Sequence, residues 1–224
     1  MLVRSWNVFH GNAVPPQRRS FLAEMVRLAS DDRPEVLCLQ ELPVWSLRRL
    51  EDWSGMTAVA DVAARPLLPV ALARAITGVH QGLLRSAVTG QANAILLAPS
   101  LRVLEHRVAR LPSPEPRVCQ AVRLEGDIVV ANLHASGDRT ATGAAELHAA
   151  EALVDELEAR VAILAGDFNS RPAPIDYSPP GPAIDHVLVR GARAAPLQVW
   201  PVERRTVGGR ILSDHAPVEV RVDV

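Results

Sequence analysis

The sequence predicts a layered α/β or α+β chain. Short apolar runs of strand length recur along its 224 residues and alternate with longer stretches whose apolar residues repeat at helical spacing. Several of the apolar runs also end abruptly in carboxylates, amides or imidazoles, groups that a core does not choose.

Leu2–Val8 reads as the first strand. Pro16–Ala29 reads as a helix, because Phe21, Leu22, Met25, Val26 and Ala29 fall on one face and Pro15–Pro16 suit its start. Val36–Gln40, apolar until its last residue, has the pattern of a strand covered on both faces. Pro43–Asp52 predicts a short helix. Further strands are predicted at Ala94–Leu97, Leu101–Arg107, Val118–Arg123, Ile128–Leu133, Val161–Ala165, Ile184–Val189 and Pro217–Val222. Ala141–Arg160 is the clearest helix, with Leu147, Ala150, Val154 and Leu157 in one stripe. Val70–Val88, inside an insert at Ala63–Gly90, suits one or two amphipathic helices. The proline-rich stretches Leu111–Arg117 and Arg171–Pro182 read as loops. With no repeat, low-complexity tract or linker, residues 1–224 read as a single domain.

Composition narrows the function. Hydrophobic residues make up 48% and charged residues 22%, which supports a buried core and excludes a disordered chain. The formal net charge of -1 argues against strong non-specific attraction to nucleic acid, though not against a local basic groove. All 24 cationic residues are arginine. Genomic base bias explains that without function, although the arginine fork suits phosphate. Cys38 and Cys119 sit in apolar runs and read as small buried hydrophobes. No signal peptide and no run of about 18 apolar residues is visible, so the expectation is a cytoplasmic, monomeric protein.

The chemistry concentrates where strands end. Val36–Leu39 runs into Gln40 and Glu41, Ile128–Ala131 into Asn132 and His134, and Val161–Ala165 into Gly166, Asp167, Phe168 and Asn169. Polar groups at the carboxyl ends of neighbouring central strands converge on the crevice where α/β proteins bind ligands. Asn7 stands inside the first strand, where an amide needs a partner. Asp185–His186 opens one late strand, and Ser213–Asp214–His215 precedes the last. Singly, each is more often a turn residue or a structural histidine. Together, in order and on like elements, they point to a site.

Taken as a set, Ser5–Val8, Leu37–Glu41, Asn132–His134, Leu164–Asn169, Ile184–Leu188 and Ser213–Val218 resemble the endonuclease/exonuclease/phosphatase superfamily. That superfamily includes DNase I-like nucleases, apurinic endonucleases, sphingomyelinases, inositol-polyphosphate phosphatases and deadenylases. Gln91–Leu96 is similar to a further strand of the family. The resemblance spans nearly the whole chain, and Gly-Asp-Phe-Asn with a later Ser-Asp-His is specific as a pair. It implies a four-layered αββα sandwich of two mixed sheets flanked by helices, and hydrolysis of a phosphate ester by direct attack of water.

The resemblance also implies roles. A Mg2+ ion, with Mn2+ as substitute, would be held by Glu41, with Asn7 close to the metal or phosphate and Asp214 as a second carboxylate. His215 would pair with Asp185, and either His215 or Asp167 would activate the water. Asn169 would donate to negative charge growing in the transition state. His134 would contact phosphate or assist the leaving group. It is a histidine of the DNase I-like and sphingomyelinase-like members, which points away from abasic-site repair. No acidic partner for His134 is visible. His10, His80, His106 and His148 show no such pattern, and His186 should face away from Asp185. Arg4, Arg18, Arg139 and Arg171 are candidate substrate contacts that read better as solvated side chains. The rival from another class is a non-catalytic binding module with the same sandwich, which the filled catalytic positions disfavour.

Overall fold

The computed structural model describes residues 1–79, 88–136, 141–171, 176–178, 180 and 183–224. His80, Arg139, the middle of the Ala63–Gly90 insert and parts of the Arg171–Pro182 loop lie outside the described residues.

Two sheets form the centre. In the first, β1 (Leu2–Asn7), β3 (Val36–Leu42), β5 (Gln91–Leu97) and β4 (Thr57–Ala64) follow one another, and β15 (Val218–Asp223) flanks β1 on the other side. The short strands β11 (Arg193–Ala194) and β12 (Gln198–Val199) both pair with β15. The second sheet runs β10 (Asp185–Arg190), β9 (Val161–Asp167), β8 (Ile128–His134), β7 (Val118–Leu124) and β6 (Val103–Arg110). Each sheet is mixed: β1 with β3 and β8 with β9 are parallel pairs, and their other neighbours are antiparallel. A small third sheet joins β2 (Ala13–Val14), β13 (Thr206–Val207) and β14 (Arg210–Leu212).

Period-2 alternation makes three apolar layers from these strands. Val3, Val36, Cys38 and Ile95 of the first sheet meet Val122, Val130, Ile163 and Val187 of the second between the sheets. Trp6, Leu37, Leu39 and Leu96 point the other way, under α1 (Leu22–Ser30) and α2 (Leu50–Ser54). Ala121, Val129, Ala131 and Leu164 form the outer face of the second sheet, covered by Ala150, Leu153, Val154 and Leu157 in and just beyond α4 (Ala141–Asp155). The result is the αββα sandwich. Both cysteines are free and buried among these layers.

Polar side chains stitch the sheets together near one end. The Gln40 amide donates to Asn132 Oδ1 at 2.7 Å, and Asn132 Nδ2 donates to the carbonyls of Leu39 and Ala94. Asn93 donates to the Val118 carbonyl from the first sheet to the second. Buried amides need such partners, so they fix how the sheets register.

Several element bounds differ from the sequence expectation. The first helix begins at Leu22 rather than Pro16; Phe21 caps it, and an arginine-rich stretch precedes it in which Arg18 and Arg19 are exposed. The segment expected as one helix at Pro43–Asp52 is a 3-10 stretch, Val44–Arg49, followed by α2. Strand β4 carries no clear strand pattern in the sequence, because alanine at positions 58, 60, 63 and 64 blurs the alternation. Within the insert, α3 covers Val70–Val79. The long helix closes at Asp155, five residues before its expected end.

Candidate active site

The sequence-predicted residues come from strand ends on one rim of the sandwich. In the second sheet, His134 is the register partner of Asp167, and Asp167 that of Asp185, so three functional side chains stand in one row across β8, β9 and β10. In the first sheet, Asn7 ends β1 beside Gln40 of β3. Glu41 follows, where the register of β3 with β5 breaks between Leu39 and Leu42, and its φ is 55°. A bulge bends the strand and re-aims a side chain. Here it turns Glu41 into the crevice.

The Ser213–His215 turn is pinned to the same rim. Buried Ser213, with φ 61°, donates from Oγ to the Asn7 carbonyl at 2.7 Å and accepts the His215 N–H. Trp6 and Arg205 donate to the His215 carbonyl.

Asn7 connects the two sheets' contributions. Its Nδ2 donates to Asp167 Oδ2 at 2.9 Å and to Glu41 Oε1 at 3.2 Å, while its Oδ1 accepts the Phe9 N–H. His215 Nδ1 donates to Asp185 Oδ2 at 2.9 Å, which leaves Nε2 facing Asp167 Oδ2 at 3.8 Å. Asp167 Oδ1 accepts the Asn169 N–H, and the Asn169 amide donates to the Ala135 carbonyl. His134 Nε2 lies 3.6 Å from Asp167 and 3.8 Å from Glu41. Asp214 joins Glu41 in lining a pocket of about 340 Å³ with Phe9, His10, Gln91, Glu115 and Arg117. All eight predicted site residues therefore meet on one rim.

Burial and these contacts set the protonation states. Burial pushes the Asp167 carboxyl up to about 6, with Asp185 adding to the rise. Burial also raises Glu41. For His215, burial alone would lower the imidazole, but the Asp185 hydrogen bond and charge, with Asp167 and Asp214, outweigh it and lift the group to about 9. His134 moves the other way, well below its ordinary value, because it is buried beside Arg117, His215 and His10. One histidine is charged at neutral pH and the other is neutral.

Among the described residues, the hydrogen-bond contacts of the His134 ring come from an amide and a guanidinium. Gln91 donates its amide to Nδ1 at 2.8 Å, and Arg117 Nη1 crowds both ring nitrogens at 2.6 Å. Arg117, at the end of a proline-rich loop, carries no signal in the sequence pattern. His10, passed over in the sequence, lies 3.6 Å from Glu41.

The remaining candidates sit elsewhere. Arg4 is fully buried and paired with Asp32 and Glu219, so it is structural. His106 pairs with Asp61, and His148 with Glu151. His186 packs edge-on against Phe168 and bonds the Ser170 carbonyl, on the face away from Asp185's.

The donor set suits a hard divalent cation. The carboxylates of Glu41 and Asp214 line the pocket, Asn7 is tied to Glu41 through its amide, and the raised Glu41 carboxyl marks a buried charge that a cation would neutralise. Asp167, Asp185 and His215 also place ligand atoms within 4.8 Å of one another. Asp185 and His215 are already paired there through Nδ1, and none of the three lines the pocket, so Glu41, which does, is the better anchor.

A model described as Endonuclease/Exonuclease/phosphatase family matches residues 5–215. The chain belongs to this family. Membership makes it a metal-dependent phosphoesterase, a hydrolase of ester bonds. A search of curated proteins found no significant match. Among solved structures, a mannosyl-6-phosphatase from Bacteroides thetaiotaomicron VPI-5482 is similar at 15% identity and TM-score 0.70, covering 100% of both chains. A functionally unknown conserved protein from Enterococcus faecalis V583 is similar at 17% identity and TM-score 0.68, covering 100% of this chain and 99% of that one. TDP2 from Caenorhabditis elegans is similar at 15% identity and TM-score 0.68, covering 100% of this chain and 74% of that one. These likenesses bear on the DNase I-like fold of the family phosphoesterase. Among the described residues no helix is long and apolar enough to cross a membrane.

Proposed function

We propose that this family member hydrolyses a small phosphate ester by direct attack of water, with a Mg2+ or Mn2+ ion held at Glu41. One observation carries the reading: the Asn7 amide bridges Glu41 and Asp167, which joins the cation-binding carboxylate of one sheet to the water-facing carboxylate of the other. Asn7 and Asp214 would complete the protein's share of the cation site. When bound, the ion polarises the phosphoryl oxygen and offsets charge in the transition state.

The chain's own groups divide the remaining work. Asp167, raised toward neutrality, accepts the proton of the attacking water through Oδ2. His215, charged through its pairing with Asp185, presents its Nε2 proton to a phosphate oxygen. Neutral His134, whose Nδ1 accepts from Gln91, carries its proton on Nε2, 3.6 Å from Asp167 Oδ2, where it would assist the leaving group. Asn169 is fixed beside Asp167 to donate where negative charge grows. No covalent intermediate is needed: Ser213 Oγ spends its proton on the Asn7 carbonyl, and both cysteines are buried away from the site.

A pocket of about 340 Å³ suits a single small headgroup better than a duplex. The near-neutral charge agrees with that, and the likeness to a sugar phosphatase makes sugar phosphates the first class to test. The test is turnover of sugar phosphates, inositol phosphates, phosphodiester dyes, RNA and plasmid DNA, with Mg2+ and with chelator. Metal-dependent phosphate release from a small ester is expected. Cleavage of plasmid DNA alone would overturn the small-substrate reading, and no release from any ester would overturn the catalytic one.

A further inference from the structure

We propose that His10 is a nitrogen ligand of the cation anchored at Glu41, so that the site prefers a transition ion such as Mn2+ over Mg2+. This rests on the reading of Glu41 as the cation's carboxylate and adds a ligand to it.

The two oxygens of Glu41 face different neighbours. Oε1 meets the Asn7 amide at 3.2 Å, whereas Oε2 faces His10 Nε2 at 3.6 Å. The second distance is too long for a hydrogen bond. A divalent cation bound between them would take one ligand atom from each residue. The other ring nitrogen, Nδ1, contacts Thr89 Oγ1 at 3.3 Å, and both residues are buried. A polar contact on the far nitrogen is how proteins orient a metal-binding imidazole.

The backbone supports the same aim. Phe9, His10 and Gly11 follow one another in the left-handed region, with φ of 48°, 53° and 81°. For the two residues with side chains this costs about 1 kcal/mol or more each, and such strain persists only where the surroundings impose it. Here they do. Phe9 N–H donates to Asn7 Oδ1, Gly11 N–H donates to the Val8 carbonyl, and Asn12 donates to the Phe9 carbonyl from both its nitrogens. A Cβ on Gly11 would stand 2.6 Å from Ser20 Oγ and 2.9 Å from Leu22 Cβ, so the turn closes only on glycine. The outcome of the strain is that His10 lines the pocket beside Glu41 and Asp214. Imidazole adds little for Mg2+, which takes oxygen, and more for Mn2+ and the ions after it in the first-row affinity order.

The test is binding of Mn2+ and of Mg2+, each alone, to the metal-free full chain by calorimetry, with spin-echo detection of nitrogen coupled to bound Mn2+. His10→Ala is expected to raise the Mn2+ Kd about 10- to 100-fold, the usual scale for losing support at a metal, while the Mg2+ Kd moves less than about 2-fold. In the wild type a directly bound nitrogen is expected, and it should vanish in His10→Ala. An unchanged Mn2+ Kd in that variant, or a wild-type spectrum without coordinated nitrogen, overturns the proposal while Glu41 stands. The spectrum alone decides if the variant does not fold. Unchanged binding of both ions in Glu41→Gln would overturn the Glu41 reading and this inference together.

Discussion

Asp185 lies directly behind His215, accepting its Nδ1–H at 2.9 Å across the gap between the two sheets. The carboxylate is buried, and its Oδ1 has no partner among the described residues, so its charge acts mainly on this imidazole.

Replacing Asp185 with Asn should therefore discharge His215. In metal-free protein followed by NMR titration, the wild-type ring should titrate near 9, and the variant's at or below the ordinary histidine value near 6.5. Because the folded value is the raised one, the ion pair contributes stability fully below about 6.5 and loses it as pH rises through about 9. Turnover should fall about 100-fold or more, on the scale of a lost proton-transfer group. An unmoved titration would mean that Asp185 does not hold His215.

Glu41→Gln should separate stability from activity. Burial disfavours the Glu41 charge, so the neutral amide should raise the melting temperature of the metal-free protein. The same substitution should abolish the stabilisation that added Mn2+ or Mg2+ gives the wild type. A lower melting temperature without metal would contradict the burial argument.

Arg4 anchors the opposite part of the first sheet, inside a cluster of Asp32, Glu219 and the Ala29 carbonyl. Arg4→Ala should cost about 3 kcal/mol in denaturant unfolding, because it strands its acidic partners. Asp32 is partly exposed, so Asp32→Asn should cost only about 0.5–1 kcal/mol. Arg4 holds the Asp32 carboxyl below its usual 3.8, so that smaller cost should be present above this pH and disappear as pH falls below it. A difference that stayed constant down to pH 2 would rule the pair out as its source.

Gly166 stands where β9 passes β8, with φ 147°, and a Cβ there would lie 2.0 Å from the Leu133 carbonyl oxygen. Gly166→Ala should be the most damaging glycine substitution in the site, lowering the melting temperature by many degrees or preventing soluble expression. Gly55→Ala, with open space at its Cβ, should pay only for its own φ of 68°, about 1 kcal/mol. Equal losses would mean that the close approach is relieved by a shift of β8.

Much of this site is legible in the sequence. A carboxylate, amide or imidazole that interrupts an apolar run is visible in one dimension, and Glu41, His134, Asp167 and Asn7 were found that way. The family resemblance joined Asp185 to His215 across 30 residues. What sequence did not reveal came from backbone geometry. His10 follows a short strand with no period to mark it, and only three successive left-handed residues bring it inward. Arg117 and Gln91 reach His134 from a loop and a strand distant in the chain. Strand β4 escaped because alanine fits either face of a sheet equally well.

The row of His134, Asp167 and Asp185 belongs to one sheet, while Asn7 and Glu41 belong to the other. Catalysis therefore depends on how two slabs are stacked, and neither carries a usable half of the chemistry. A slip of one slab past the other by a single side-chain spacing would leave most of the fold's hydrogen bonds whole and silence the enzyme. Loss of turnover would then mark the first loosening of the stack, ahead of any change in helix or strand content.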